Sequence, residues 1–232
     1  MWDPVNWRHW RVIIKLDPNK ILTQESLSAV LDCNPEAIVL GGTQGINKEN
    51  TMWLLDVLCR AGYTGTVVQE ISDPSVVIEG VDAYFIPVVL NSPHYQWITG
   101  FHHEAIKKYQ DSIDWNKVLT EGYVICNTVS MAGIVTGAMP VDAENAVAYS
   151  ILAEKLLGIP VIYIEYSGVF GDPSLVEAVA GKSENIHVIY GGGITRPGQA
   201  QRMLKWADTI VIGNVVYENP ECLRPIFNKV FQ

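Results

Sequence analysis

Short apolar runs alternate with longer segments of helical spacing along almost the whole chain. The runs lie at 12–16, 37–40, 66–69, 83–89, 123–126, 161–164, 186–189 and 208–212. They are four to seven residues long and rich in Val and Ile, which is how strands buried on both faces read. Between them, helical patterns cover 24–31, 50–60, 95–109, 115–120, 143–157 and 197–206, and a helical tail runs to 232. Gly158 closes the 143–157 helix and Thr195 is placed to cap the 197–206 helix. Eight strands alternating with helices predict an α/β fold, a (β/α)8 barrel. At 232 residues the chain is close to the usual length of one barrel, so a single domain over 1–232 is expected.

The pattern breaks once. Residues 71–81, with Asp73-Pro74 and Gly80, are too short and interrupted for a full helix between the third and fourth strands. A missing outer helix leaves an apolar groove beside the barrel wall; a short loop capped by neighbouring helices is the plainer alternative. The 95–109 helix is the next element in sequence. Trp97, Phe101, Ala105 and Lys108 fall near one stripe on it, and His102 and His103 beside them read as structural or surface residues. Residues 127–140 form a long Gly-containing loop, a candidate flexible lid.

The chemistry gathers at strand ends. Lys15 and Asp17 share a face at the end of the first strand, with Leu16 opposite. A cation beside a carboxylate there suits a phosphate plus a metal ion, or makes a plain surface ion pair. Gly41-Gly42-Thr43 follows the second strand, and the Thr43 hydroxyl can ligate Mg²⁺ or bond a phosphate oxygen. The third strand ends in Glu70. The sixth ends in Tyr163-Ile164-Glu165-Tyr166-Ser167-Gly168, with Tyr163 and Glu165 on one side. A carboxylate at the C-terminal end of a barrel strand reads as catalytic, or else as a structural partner for Lys15 across the barrel. Gly191-Gly192-Gly193 follows the seventh strand and Gly213-Asn214 the eighth. Two successive strand–Gly–helix turns at this end of the chain match the phosphate site of such barrels, where backbone N–H groups face an anion.

A net charge of −9 argues against a nucleic-acid surface while leaving room for a local anion site. Cys33, Cys59, Cys126 and Cys222 have no metal or redox spacing and read as small core residues of a reduced, cytoplasmic protein. The Trp-rich N-terminus with Asp3, Arg8 and Arg11 does not look like a signal peptide. No apolar run is long enough to span a bilayer.

The chain resembles the geranylgeranylglyceryl phosphate synthase family, including its bacterial relatives, the heptaprenylglyceryl phosphate synthases (PcrB proteins). The stretches that carry the resemblance are WRHWRVIIKLDP at 7–18, GTQ at 42–44, FIPVVLNS at 85–92, WITG at 97–100, YIEYSG at 163–168, YGGGI at 190–194 and IGNVVY at 212–217. It implies a modified TIM barrel lacking the third outer helix. It also implies Mg²⁺-dependent transfer of a long prenyl group from its diphosphate to sn-glycerol 1-phosphate, giving an ether-lipid precursor, by a homodimer. By the same resemblance Lys15, Tyr163, Ile164, Glu165, Tyr166, Ser167, Gly168, Gly193, Gly213 and Asn214 look like glycerol-phosphate contacts. Asp17 and Thr43 look like Mg²⁺ ligands, Glu165 is placed to take the proton, and tyrosine π faces would steady the allyl cation. The length-setting tryptophan of geranylgeranyl enzymes falls at Ala105, which implies the heptaprenyl donor. A geranylgeranyl enzyme, a phosphate-sugar isomerase or lyase on the same barrel, and a non-catalytic binder of phosphorylated lipids are the alternatives.

Overall fold

The computed structural model describes residues 5–231; Asp3 and Gln232, the expected end of the last helix, lie outside the described residues. The strands are β1 (Val12–Leu16), β2 (Ala37–Leu40), β3 (Thr66–Glu70), β4 (Ala83–Val89), β5 (Val118–Ile125), β6 (Val161–Glu165), β7 (His187–Gly191) and β8 (Thr209–Ile212). They pair in parallel in sequence order, and β8 closes on β1. This is the barrel expected from the strand–helix alternation.

Alternation within each strand sets two layers. Val12, Ile14 and Leu16 of β1 join the outer core beneath the helices, whereas Ile13 joins the barrel interior with Val39, Val68, Phe85, Leu119, Ile189 and Val211. Trp7 and Trp10 bury themselves against this interior at the N-terminal end of the barrel, Trp10 tilted over Phe85 at 6.1 Å. The lower barrel is therefore filled mainly with apolar side chains; His187 and Thr209, at the starts of β7 and β8, are buried there with His187 Nε2 2.7 Å from Thr209 Oγ1.

The helices are α1 (Gln24–Cys33), α2 (Lys48–Arg60), α3 (Gly100–Tyr109), α4 (Met131–Thr136), α5 (Ala143–Ile151), α6 (Pro173–Ala180), α7 (Pro197–Met203), α8 (Val215–Glu218) and α9 (Leu223–Val230). Between β3 and β4 the described chain has only a 3-10 turn, Pro74–Val76. Gln69, 1% exposed on the outer side of β3, holds this connection flat: its Nε2 donates to Val76 O and its Oε1 accepts from Ile78 N. The third outer helix is absent, and the outer faces of Tyr84, Ile86 and Val88 on β4 line a groove.

Several expected elements differ. The 95–109 segment is a 3-10 turn, Tyr95–Trp97, followed by α3, because Thr99 leaves helical geometry at φ −136° and the Tyr95 ring lies over Gly100. The 115–120 helix is a 3-10 turn, Trp115–Lys117, after which β5 begins: Leu119, Glu121 and Tyr123 alternate inward, a strand period. The 127–140 segment, expected to be a loop throughout, contains α4, capped by Ser130 accepting from Gly133 N at 3.1 Å. The 143–157 helix continues beyond α5 as a π turn over Leu152–Leu157 and ends, as expected, at Gly158 (φ +67°). The cap position before α7 is Arg196 rather than Thr195; Gln199 Oε1 accepts from both backbone N–H groups there. The tail folds as α8, a 3-10 turn and α9, and α6 has no counterpart in the helical patterns read from the sequence. The cysteines are unpaired; Cys33, Cys126 and Cys222 are half-buried and pack against the outer core, whereas Cys59, expected in the core, is exposed.

Candidate active site

Three strands deliver acids to the mouth of the barrel, and one delivers a cation. Lys15 of β1 donates to Glu70 Oε1 of β3 at 2.7 Å and to the Tyr123 hydroxyl of β5 at 3.2 Å. That hydroxyl donates to Glu70 Oε2 at 2.8 Å, closing a three-membered network. Tyr123 stacks on Tyr163 of β6 with centroids 4.4 Å apart, and Lys15 Nζ lies 5.8 Å from each ring. Stacking leaves one π face of each ring for other contacts. Glu121, one inward position below Tyr123, is 1% exposed, and its Oε2 has no hydrogen-bond partner.

Charge crowding decides the protonation states. Burial pulls Lys15 down, but Glu70, Glu165 and Glu121 outweigh it and hold the ammonium above its ordinary value. Burial pushes Glu121 well above the usual carboxylate range, with Glu70 adding to the rise and Lys15 opposing it. Glu165 is pushed up to about 7 by burial, against the pull of Lys15; Glu70 raises it further, while hydrogen bonds from Tyr163 and the Ser167 backbone N–H lower it. Glu165 is thus a buried carboxyl able to exchange a proton near neutrality, the property of a general base. Among the described residues it pairs with no cation directly; Lys15 takes Glu70 instead.

The rim is built by close backbone approach. A Cβ on Gly42 would stand 2.6 Å from Asp17 Oδ1, so the Asp17 carboxylate lies directly over the β2 loop, beside Thr43. One carboxylate and one hydroxyl, with room for water and phosphate oxygens, suit Mg²⁺, which keeps few protein ligands. Tyr217 of α8 accepts the Asp17 backbone N–H at 2.8 Å. At the β7 end, Gly192 (φ +155°) and Gly193 (φ +52°) pass so close to Tyr166, Val169 and Phe170 that side chains would collide. The Tyr190 hydroxyl, accepting Gly171 N and donating to Gly192 O, each at 2.8 Å, fixes this loop pair.

From the mouth a cavity of about 1690 Å³ runs down the outer wall between β4 and α3. Lys15, Thr43, Glu70, Glu165 and Ser167 line its polar end; Ile86, Trp97, Phe101, Ala105 and Tyr109 line the apolar length. This volume exceeds the roughly 300–1,000 Å³ of ordinary small-molecule pockets.

The structure brings Lys15, Thr43, Glu165 and Ser167 to one space and Ala105 to its apolar arm, while Tyr163 lies outside that lining, stacked on Tyr123. Asp17, Gly193, Gly213 and Asn214 stand on the rim rather than in the cavity lining. Gly168 takes φ +84° in the β6 loop. Ile164 points away, into the outer core, so only its backbone can serve a ligand. Tyr166 also leans outward, tilted 37° against Tyr190. Among the histidines, His102 Nε2 lies 3.1 Å from Pro87 O and His103 is exposed beside Glu104; among the described residues no cluster of three or more His, Cys, Asp or Glu could hold a metal. Glu70, Glu121 and Tyr123 were not anticipated as site residues. Glu70 had a signal, its place at a strand end like that of Glu165. Glu121 fell between the expected 115–120 helix and the expected 123–126 strand, and Tyr123 opened that strand rather than ending it, so neither stood at the C-terminal end of an expected strand.

The model of the PcrB family matches residues 5–230. The heptaprenylglyceryl phosphate synthase of Geobacillus kaustophilus is 42% identical over 212 residues, 91% of this chain and 88% of the relative. That of Bacillus cereus is 39% identical over 220 residues, 94% of each. Among solved structures, (S)-3-O-geranylgeranylglyceryl phosphate synthase from Thermoplasma acidophilum, in complex with sn-glycerol-1-phosphate, superposes with a TM-score of 0.82 at 22% identity, covering 95% of this chain and 93% of that one. At that identity the likeness speaks for the fold.

Proposed function

The chain belongs to the PcrB family, and from that premise we propose that this prenyltransferase moves a heptaprenyl group from its diphosphate to sn-glycerol 1-phosphate, with Mg²⁺, as a cytoplasmic homodimer built from one domain over 1–232. Prenyl transfer to glycerol phosphate follows from relatives at about 40% identity over nearly the whole chain. The observation that carries the finer reading is the cavity: one space joins a buried carboxyl that exchanges its proton near pH 7 to a long apolar arm. A phosphate-sugar isomerase or lyase has no use for such an arm. The four unpaired cysteines support a reducing compartment.

Glu165 accepts the proton of the glycerol hydroxyl as that oxygen forms its bond to C1 of the prenyl group and the bond from C1 to the diphosphate breaks. Tyr163 and the Ser167 N–H hold the carboxylate in place for this step. The Glu70–Lys15–Tyr123 network keeps the ammonium at the barrel centre, where it offsets the anionic charge of both substrates. Gly193, Gly213 and Asn214 hold the acceptor phosphate on backbone and amide donors. Asp17 and Thr43 are the residues that would hold Mg²⁺, which when bound supplies positive charge for the diphosphate leaving group. Ala105 leaves the groove open where a larger side chain would end it, which favours the longer donor.

The test incubates purified protein with Mg²⁺, labelled sn-glycerol 1-phosphate and a series of prenyl diphosphates. Labelled lipid is expected, most from the heptaprenyl donor. No lipid product, under conditions where a B. cereus relative makes one, would overturn the reading.

A further inference from the structure

The site described so far leaves a charge problem. The acceptor phosphate comes to a mouth above Glu70, Glu121 and Glu165, and Lys15, the cation among them, is already engaged by Glu70 at 2.7 Å. In a chain of net charge −9, a phosphate dianion at the β7 and β8 ends would meet a repulsive field unless another cation stands there.

Lys20 stands there. It is an exposed residue in the loop after β1, and its Nζ reaches the turn after the neighbouring strand β8, donating to Asn214 Oδ1 at 2.9 Å. It lies 5.1 Å from the centroid of the Tyr217 ring, a cation–π contact that fixes where the ammonium sits. Tyr217 is itself tied to Asp17, accepting its backbone N–H at 2.8 Å. Engaging Oδ1 turns the Asn214 amide so that its NH₂ group is left as a donor, and Lys20 keeps further N–H bonds of its own. One clasp thus joins the loop that carries Asp17 to the turn that carries Gly213 and Asn214.

We propose that Lys20 is the counter-charge of the acceptor phosphate, held over the β8 turn by Tyr217 and orienting Asn214 as a phosphate donor. This rests on the reading that a glycerol phosphate is the acceptor at that turn. Lys20 does not touch the reacting atoms, so its effect belongs to acceptor affinity and not to turnover. Nor does it serve the diphosphate, which belongs with Asp17 and Thr43 on the β1–β2 side.

Initial rates of wild type, Lys20→Gln and Lys20→Arg, with acceptor and donor varied separately, test this. Lys20→Gln should raise the KM for sn-glycerol 1-phosphate about tenfold or more, the scale of a lost charged hydrogen bond, with kcat and donor KM nearly unchanged. Lys20→Arg, which keeps the charge, should recover most of the affinity. A second measurement needs no turnover: inorganic phosphate should raise the melting temperature of wild type and of Lys20→Arg, and raise that of Lys20→Gln much less. Unchanged acceptor KM, a change that falls on the donor instead, or equal protection of all three proteins by phosphate would overturn the assignment. If wild type makes no product from this acceptor, the parent reading fails, and the phosphate shift alone decides the role of Lys20.

Discussion

Burial lifts the Glu165 carboxyl to about 7, and on the proposed reading that is what suits it to act as the base. A carboxyl near its usual value, about 4.3, would be ionised throughout the neutral range and a weak base; held at about 7, Glu165 matches working pH. Turnover of the wild type should climb as pH rises through about 7 and level off above. Glu165→Gln, which keeps the shape and removes the base, should lose roughly 10²–10⁴-fold in turnover, lose that climb, and keep its affinity for glycerol phosphate. A large affinity loss with unchanged turnover would make Glu165 a binding residue. Stability carries the opposite sign. Because the folded carboxyl binds its proton more tightly than the unfolded one, Glu165 favours the fold most at low pH, and that contribution falls as pH rises between about 4 and 7. Asp17→Ala is a different case. The variant keeps the backbone N–H that Tyr217 accepts, so it should melt like the wild type while losing most activity. Near-normal turnover across a Mg²⁺ titration would remove Asp17 from the metal site. Both residues were singled out by their place at strand ends, and the structure sets Glu165 in the cavity lining and Asp17 outside it. Glu121 was not: a lone acid between an expected helix ending at 120 and an expected strand starting at 123 gives no sign that it will face inward, 1% exposed.

At the scale of elements, the proposed donor preference rests on the missing helix. The short 71–81 connection was readable because Asp73-Pro74 and Gly80 break any helical period, and the structure replaces a helix with one 3-10 turn strapped down by Gln69. The exact walls of the groove were not readable. They depend on α3 starting at Gly100 and on β5 starting at Val118, and boundaries of this kind are set by tertiary pairing, not by local pattern. Ala105 nonetheless falls in the apolar arm. Each further isoprene unit buries roughly five carbons at about 0.8 kcal/mol per methylene, so an open arm favours the longer donor by several kcal/mol before ordering costs. Ala105→Trp should fill the arm and move the preference from heptaprenyl toward geranylgeranyl diphosphate. A donor series in which the variant keeps the wild-type order would mean that length is set elsewhere along the groove.

The whole molecule poses a question that no single strand or helix answers: what covers the apolar flanks of an open groove. Met52 and Trp53 of α2, Phe101 and Ile106 of α3, and Trp115 beyond it are all exposed, four of them between 47% and 57%. Met52, Phe101, Ile106 and Trp115 also line the cavity. Apolar area left wet costs about 25 cal/mol per Å², and a prenyl chain lying between such flanks would share that cost. A second copy packed over α2 and α3 would dry both the flanks and the outer side of the groove, so association and donor binding should support each other. Sedimentation at micromolar concentration should therefore show a species of twice 25.7 kDa. Ile106→Glu, a charge placed at the rim of that face, should shift the protein toward the monomer and raise the KM for the heptaprenyl donor while sparing that for glycerol phosphate. A wild type that sediments as a monomer alone would overturn the dimer, and a dimer that ignores the substitution would place its interface on another face of the barrel.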